Sequence, residues 1–158
     1  MWTPGERPIS NPGDVRPAVT GALTRGAARL FEDLGAAVVT EFTLATGRRA
    51  DLAALHPDGS IDIVEVKSGR EDFLSDTKWP DYQAFCDRFY FAVAPGFPMD
   101  LLPDESICGL VVADAWSAEI VRPAPERKLA SARRRALTIK LARTAAVRLR
   151  QLIDPRLA

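Results

Sequence analysis

The first half of the chain contains three short runs of apolar and β-branched residues separated by turn residues. Residues 36–45 (AAVVTEFTLA), 48–55 (RRADLAAL) and 61–69 (IDIVEVKSG) each have the length and composition of a β-strand. The Thr-Gly pair at 46–47 and the sequence HPDGS at 56–60 are typical of tight turns. Strands joined by such short turns pair in antiparallel fashion, so we expect a three-stranded meander.

Helical spacing of apolar residues is found on both sides of this meander. Residues 18–35 predict one helix, and residues 70–87 predict a second helix that breaks or restarts at Pro80. The apolar run 88–94 can rejoin the sheet only by a crossover, which favours parallel pairing with the third strand. Two further short strands (108–114 and 118–123) and a long basic helix (128–153) follow.

This order of elements predicts an α/β fold in which a mixed β-sheet is flanked by helices. We expect an irregular N-terminal arm (1–17), a core (18–123) and a basic C-terminal helix (124–158) that packs on the core. The C-terminal helix carries an apolar stripe, which we expect to dock against the core along its length. The stripe consists of Leu137, Leu141, Ala145, Leu149 and Leu152.

The net charge of zero conceals an uneven distribution of charge along the chain. From residue 122 onward there are eleven Lys and Arg residues and two acidic residues, so this segment carries about +9 and the first 121 residues carry about −9. Such asymmetry indicates a polyanionic partner for the basic segment.

Several classes of protein are excluded by composition. No apolar run approaches the ~18 residues that span a bilayer, and the first residues lack the apolar core of a signal peptide. Cys86 and Cys108 have no CxxC spacing, so we expect a cytoplasmic protein without a disulfide framework. The single histidine, His56, lies in a predicted turn, which excludes a Ser-His-Asp triad and a His-rich metal site.

Two charged residues interrupt one face of the apolar strand 61–69. Glu65 and Lys67 point to the same side, because side chains two positions apart share a face of a strand. If the turn HPDGS is symmetric about Asp58, Asp51 lies directly across from Glu65. Like charges in this position destabilise a sheet, and a divalent cation between them removes the repulsion because hard cations prefer carboxylate oxygens. The pattern therefore predicts a metal site at Asp51 and Glu65, with Lys67 within reach of a bound anion.

These groups are the ones that phosphodiester hydrolysis requires. A metal lowers the pKa of a bound water and neutralises charge on the phosphate, and a lysine orients the water or stabilises the developing negative charge. A second interpretation stays open, in which the charges form a cross-strand ladder on the surface of an edge strand. A bulge in the turn would shift the register by one residue and separate the two carboxylates.

The same residues carry a resemblance to known proteins. Asp51 with Glu65-Val66-Lys67 resembles the PD-(D/E)XK nuclease signature, with Ala50 in place of the motif's proline, and the order of elements resembles that superfamily's αβββαβ core. More narrowly, EFTLATGRRADLAAL, IVEVKSGREDFLSDTKWPDYQAFCDRFYFAVAP and AEIVRPAPERKLASARRRA are similar to the MmcB-type DNA-repair family of bacteria. This resemblance covers most of the chain from about residue 18. It implies a restriction-endonuclease-like fold with a metal-dependent nuclease site linked to DNA repair.

The resemblance also implies a role for each residue of the motif. Asp51 and Glu65 would bind Mg²⁺ or Mn²⁺, with the backbone carbonyl of Val66 as a third ligand, and Lys67 would be the catalytic lysine. In some such folds a further acidic residue completes the metal shell. The candidates for it are Glu32 on the first helix and Glu41 on the first strand.

Several basic and aromatic residues are candidates for contacts with nucleic acid. For each of them a structural interpretation stays open: solubilising arginines on a hairpin, a tryptophan that fills the core below the helix break, and a solvated face of the terminal helix. The candidates for contact with nucleic acid are Arg48, Arg49, Lys78, Trp79, Arg133, Arg134 and Arg135.

For Asp72 and Asp76, which are four residues apart, we expect solvation or a role at a helix N-terminus.

The sequence therefore predicts a Mg²⁺- or Mn²⁺-dependent DNA endonuclease that acts in repair on damaged, branched or single-stranded DNA, associated with the nucleoid when bound. Two alternatives stay open: a DNA-binding or adaptor module with little or no catalysis, and an RNA-processing nuclease. The residues also leave the oligomeric state open, and the resemblance implies a homodimer as one way of cutting two strands.

Overall fold

The protein folds into a six-stranded mixed β-sheet with helices on both faces. The structure is a computed structural model that describes the backbone of residues 12–156 and the side chains of residues 17–156. The strands are β1 (Ala37–Thr43), β2 (Arg49–Leu55), β3 (Ile61–Lys67), β4 (Arg88–Val93), β5 (Gly109–Ala113) and β6 (Ala118–Arg122). The α-helices are α1 (Pro12–Asp33), α2 (Arg70–Ser75) and α3 (Ser131–Ile153), and two 3-10 helices span Trp79–Phe85 and Met99–Leu101. No described helix is long and apolar enough to cross a membrane.

The sheet has the strand order β1-β2-β3-β4-β5-β6. Strands β1, β2 and β3 are antiparallel neighbours, and β4 joins β3 in parallel after the crossover, as predicted. Strand β5 is parallel to β4, and β6 returns antiparallel to β5.

The turn between β2 and β3 has the symmetry that the sequence predicts. Ala53 faces Ile63 and Leu55 faces Ile61, so the register is centred on Asp58. The Asp58 carboxylate accepts hydrogen bonds from the N–H and hydroxyl of Ser60, at 2.9 and 2.6 Å, which fixes the turn.

Each face of the sheet is covered by a different helix. On one face, α1 buries Leu23, Ala27 and Phe31 against apolar side chains of β2, β3 and β4. On the other face, the 3-10 helix Trp79–Phe85 and the first part of α3 cover the core around Phe91.

The start of α1 departs from the sequence prediction, whereas the break in the second helix does not. Helix α1 begins at Pro12, so residues 12–17 of the predicted arm are helical, and residues 1–11 lie outside the described residues. A proline is tolerated in the first helical turn because that N–H has no acceptor there, and the segment PGDVRP holds too few apolar residues to show helical spacing. The predicted break in the second helix is confirmed: α2 ends at Ser75, and a 3-10 helix starts at Trp79 with Pro80 in its first turn.

The predicted docking of the α3 stripe is correct only for its first half. Leu137 and Leu141 are buried, whereas Ala145 is exposed, Leu149 is 56% exposed and Leu152 is 81% exposed. Helix α3 starts beside Asp87, and by Arg148 it has reached the carbonyl groups of Thr40 and Glu41 on β1, which is an edge strand of the sheet. The apolar residues beyond that point are exposed because no further strand lies there to cover.

Candidate active site

Strand β2 loses its regular pairing at Asp51. The β1–β2 ladder omits the row of Glu41 and Asp51, and the β2–β3 ladder ends at the neighbouring residue, Leu52. Glu41 has a φ of 48° and is the one non-glycine residue in the described chain with a positive φ. Such a backbone conformation costs on the order of 1–3 kcal/mol and is found most often at functional sites. The sheet therefore opens at Asp51.

Two carboxylates fill this opening. The N–H of Asp51 donates to Glu65 Oε1 (3.1 Å), and the N–H of Val66 donates to Asp51 Oδ2 (2.8 Å). Each side chain thus replaces a missing backbone acceptor on the neighbouring strand. The structure brings Asp51 and Glu65 together as the turn symmetry predicts, and we call them the carboxylate pair.

Burial makes the carboxylate pair electrostatically costly. Glu65 is 5% exposed, and its burial, reinforced by the negative charge of Asp51, raises its pKa to about 8. Burial also raises the pKa of Asp51, against the lowering effects of the Val66 N–H and of Lys67. Near neutral pH the pair therefore holds a proton, because two adjacent buried carboxylates cannot both ionise freely.

Lys67 extends from the same strand and pairs with an aspartate of the following segment. Its side chain is buried, and Nζ donates to Asp76 Oδ2 at 2.6 Å. Burial raises the pKa of Asp76, but the hydrogen bond and charge of Lys67, together with the N–H groups of Lys78 and Trp79, outweigh it, so that the net shift is downward. Of the two roles predicted for Asp76, the structure favours the one at a helix N-terminus, because its Oδ1 accepts the N–H of Lys78 (2.9 Å) directly before the 3-10 helix Trp79–Phe85.

Asp72 has the predicted role at a helix N-terminus. Its Oδ2 accepts hydrogen bonds from the N–H (2.9 Å) and hydroxyl (3.1 Å) of Ser68, just before α2. Its negative charge also contributes to the raised pKa of Asp51, so Asp72 belongs to the site. The sequence signal for both aspartates was their i, i+4 spacing directly after β3.

A cleft of about 720 Å³ lies between α1 and strands β1 and β2, beside the opening of the sheet. Asp51, Glu41 and Arg49 line it from the sheet, Asp72 lines it from α2, and Arg25 lines it from α1. Threonine and serine side chains add hydroxyl groups to its walls: Thr20, Thr24, Thr40 and Ser68.

The cleft distinguishes the two candidates for a further acidic ligand. Glu41 lines the cleft beside Asp51, and its backbone carbonyl accepts a 2.7 Å hydrogen bond from Arg148 of α3. Glu32 is exposed near the end of α1, one turn beyond Ala28, which is the last residue of the helix that lines the cleft. Of the two, Glu41 is therefore placed near the carboxylate pair.

The predicted nucleic-acid contacts on the hairpin and the second helix fall into different environments. Arg49 lines the cleft, whereas Arg48 pairs with Asp81 at 3.0 Å. Lys78 is exposed. The ring of Trp79 stacks on Phe89 at 5.9 Å between centroids, so the structure favours the core interpretation for this tryptophan.

Two of the three candidate arginines at the start of α3 hold the helix to the domain. Arg134 makes a two-pronged ion pair with the buried Asp87, with Nη1 at 2.7 Å from Oδ2. Burial alone would raise the pKa of Asp87. Hydrogen bonds from Arg134 and from the N–H groups of Leu129 and Ile61 outweigh this effect and lower the pKa. Arg133 donates to the carbonyl of Ala84 and lies over the ring of Phe85.

Arg133 and Arg134 therefore help to anchor α3, because their guanidinium groups have partners within the domain, and their contact with nucleic acid stays a prediction. Arg135 is exposed and stays a candidate for contact with nucleic acid.

The oxygen atoms at the site decide whether a metal fits it. Within residues 17–156, no group of three or more Asp, Glu, His or Cys side chains is placed to hold a metal ion. The carboxylate pair offers two oxygens, Asp51 Oδ1 and Glu65 Oε2, that accept no hydrogen bond from the described residues. Mg²⁺ commonly binds through one or two carboxylates and keeps several waters. The donor set therefore fits a hydrated Mg²⁺ or Mn²⁺ ion, and the ligand role of the Val66 carbonyl stays a prediction.

Comparisons with known proteins assign the chain to a family. A family model described as DNA repair protein MmcB-like matches residues 11–156. A solved structure of a protein of unknown function from Silicibacter pomeroyi is 50% identical, with a TM-score of 0.80, over 84% of this chain and 90% of that one. Among the curated proteins, none matches. The chain belongs to the MmcB-like family of DNA repair proteins.

Proposed function

We propose that the protein is a Mg²⁺- or Mn²⁺-dependent nuclease with a restriction-endonuclease-like fold that hydrolyses phosphodiester bonds of DNA during repair. Membership of the MmcB-like family supports the link to DNA repair. The αβββαβ order of elements supports the fold assignment. The observation that carries the proposal is the carboxylate pair, buried at the opening of the sheet with Lys67 beside it.

A structural role does not account for this arrangement. The alternative of a surface ladder is wrong, because Glu65 and Lys67 are each only 5% exposed. Burying two like charges destabilises a fold, and an apolar pair of similar volume avoids that cost. A strongly raised carboxylate pKa beside a cleft, as at Glu65, is typical of sites that bind ions or catalyse reactions.

Each residue of the site has a distinct part in the proposed reaction. Asp51 and Glu65 would hold the metal. Glu41, which lines the same cleft, would contact the metal through a water molecule. A bound Mg²⁺ or Mn²⁺ supplies an acidified water and neutralises negative charge on the phosphate. Lys67, held by Asp76, would orient the attacking water or stabilise the charge that develops on the phosphate oxygens. Arg49 offers a positive charge to the phosphate in the cleft.

The test is cleavage by variants in which one carboxylate becomes an amide of the same shape. Glu65→Gln and Asp51→Asn are compared with the parent on single-stranded, gapped, branched and duplex DNA, and on RNA, with Mg²⁺ or Mn²⁺. We expect a loss of about 100-fold or more, because removing one group that stabilises transition-state charge costs this much. Glu119→Gln is the matched control, since Glu119 is exposed on β6. Cleavage by both site variants at the parent rate would refute the assignment, and cleavage confined to RNA would favour the RNA-processing alternative.

A DNA-binding or adaptor protein without catalysis is the second candidate. The observation that favours it is the Lys67–Asp76 ion pair, which already neutralises the lysine. Calorimetric titration with Mg²⁺ and Mn²⁺, with and without DNA, distinguishes the two. Uptake of metal that Glu65→Gln abolishes supports the nuclease, and tight DNA binding without any metal uptake supports the adaptor.

A further inference from the structure

A tryptophan stands exposed at the tip of the turn between β5 and β6. Trp116 is 67% exposed and is the one aromatic residue among the strongly exposed large apolar side chains of the described chain. A ring that served only to fill the core would be buried, as Trp79 largely is. The polar Asp114 and Ser117 beside it are exposed too, so the ring is not part of a continuous apolar patch.

The fold holds this turn in a fixed position. Asp114 Oδ1 accepts hydrogen bonds from the N–H groups of Trp116 (2.7 Å) and Ser117 (2.8 Å), and these bonds lower the pKa of Asp114. The turn packs closely on α1 at Gly26, where an added Cβ would lie 2.0 Å from the carbonyl oxygen of Asp114. Only glycine allows this approach, so Gly26 of α1 is required for the turn that carries Trp116 to pack where it does.

Two arginines of α1 lie against the exposed ring. The Cζ atoms of Arg25 and Arg29 are each 5.5 Å from the ring centroid of Trp116, and Arg29 also donates to the Trp116 carbonyl at 3.2 Å. The two arginines are four residues apart, so they project from the same face of α1. Because the residue is 67% exposed at the tip of a turn, a planar ligand has access to Trp116.

The cluster of Arg25, Arg29 and Trp116 adjoins the cleft of the candidate active site. Arg25 contacts the Trp116 ring and also lines the cleft in which Asp51 lies. The positive charge therefore continues from the exposed ring to Arg49 beside the carboxylate pair.

We infer that Arg25, Arg29 and Trp116 form a binding site for single-stranded DNA, in which an unpaired base stacks on Trp116 and the adjacent phosphates bind the arginines. The bases of a duplex are already stacked on one another, so an exposed indole favours an unpaired strand. The strand would pass along Arg25 into the cleft, which makes an unpaired DNA segment the substrate class of the nuclease. The assignment of DNA as the ligand rests on the proposed function.

The test measures binding of the full chain in EDTA, where no cleavage occurs. Fluorescence anisotropy with a labelled oligo-dT of about twelve nucleotides is compared with a duplex of the same length. Trp116→Ala is expected to weaken binding of the single strand by about tenfold or more, and Trp116→Phe to keep most of the affinity, since stacking on an aromatic ring tolerates this change. Val121→Ala is the matched control, because Val121 is exposed on the same hairpin away from the turn.

The arginines are tested by the dependence of affinity on salt. The double variant Arg25→Ala/Arg29→Ala is expected to reduce the slope of log affinity against log salt by about 1.4, because each single-strand phosphate contact contributes about 0.7. Equal weakening of single-strand and duplex binding by Trp116→Ala, or no weakening at all, would overturn the inference. A parent chain that does not bind the single strand would overturn it as well.

The outcome separates this inference from the proposed nuclease activity. A Trp116 effect in a protein that never cleaves DNA leaves the binding site in place and refutes the nuclease. Cleavage that depends on Glu65, with single-strand binding unchanged in Trp116→Ala, refutes the binding site alone.

Discussion

The carboxylate pair makes a quantitative prediction about stability and pH. Glu65 has a pKa near 4.5 in the unfolded chain and about 8 in the folded protein. Between these values the folded state holds a proton that the unfolded state has lost, so the free energy of unfolding falls as the pH rises. A shift of this size corresponds to a destabilisation of about 5 kcal/mol. This destabilisation is complete above pH 8 and absent below pH 4.5.

The variant Glu65→Gln removes this dependence and keeps the local structure. Its amide oxygen still accepts the Asp51 N–H, and the side chain carries no charge at any pH. We therefore expect the variant to match the parent near pH 4.5 and to exceed its free energy of unfolding by several kcal/mol at pH 8.5. For a chain of this size, that difference raises the Tm by roughly 10 °C or more.

The measurement is urea or thermal unfolding of both proteins in EDTA from pH 4.5 to 9. The quantity of interest is the difference between the two curves, because titrating groups outside the carboxylate pair contribute equally to both proteins. Glu119→Gln, on the exposed edge strand β6, is the control and should follow the parent at every pH. If the curves of Glu65→Gln and the parent stay parallel within about 1 kcal/mol, the carboxylate pair is not electrostatically strained and the argument from its burial fails.

Three further predictions concern the ion-pair anchor, the terminal helix and metal binding. Asp87→Ala leaves Arg134 and two backbone N–H groups without their acceptor. We expect it to destabilise the protein by about 3–5 kcal/mol, measured by urea unfolding. A change below about 1 kcal/mol would contradict the anchoring role. Leu141→Ala is expected to cost about 2–5 kcal/mol, whereas Leu152→Ala changes the free energy of unfolding by less than about 0.5 kcal/mol, and equal effects would show that the distal helix is packed. Mg²⁺ binding at pH 7 is expected to release close to one proton from the carboxylate pair, measured by calorimetry in buffers of different ionisation enthalpy, and binding without proton release would contradict the raised pKa.

The fold and the centre of the site could be predicted from the sequence because local signals determine them. The Asp58-centred turn sets the register of β2 and β3, and this register, continued beyond the last paired row of Leu52 and Val64, brings Asp51 beside Glu65. The crossover through α2 then requires β4 to run parallel to β3, as observed.

The remaining features depend on contacts that no local pattern encodes. The sheet opens where Glu41 has a left-handed backbone conformation. Glutamate rarely adopts this conformation, and no neighbouring residue in the sequence predicts it. The apolar stripe of α3 has helical spacing through Leu152, but burial depends on the width of the sheet beneath it. The exposure of Trp116 follows from the approach of its turn to Gly26, which lies 90 residues earlier in the chain.

The reciprocal hydrogen bonds between β2 and β3 give the site a built-in reporter. The amide hydrogens of Asp51 and Val66 are protected by carboxylate oxygens instead of carbonyl groups. A ligand that draws either carboxylate away exposes one of these hydrogens to solvent, and its exchange with deuterium accelerates. Occupancy of the centre can thus be followed at two main-chain positions, without a chemically attached probe and without turnover.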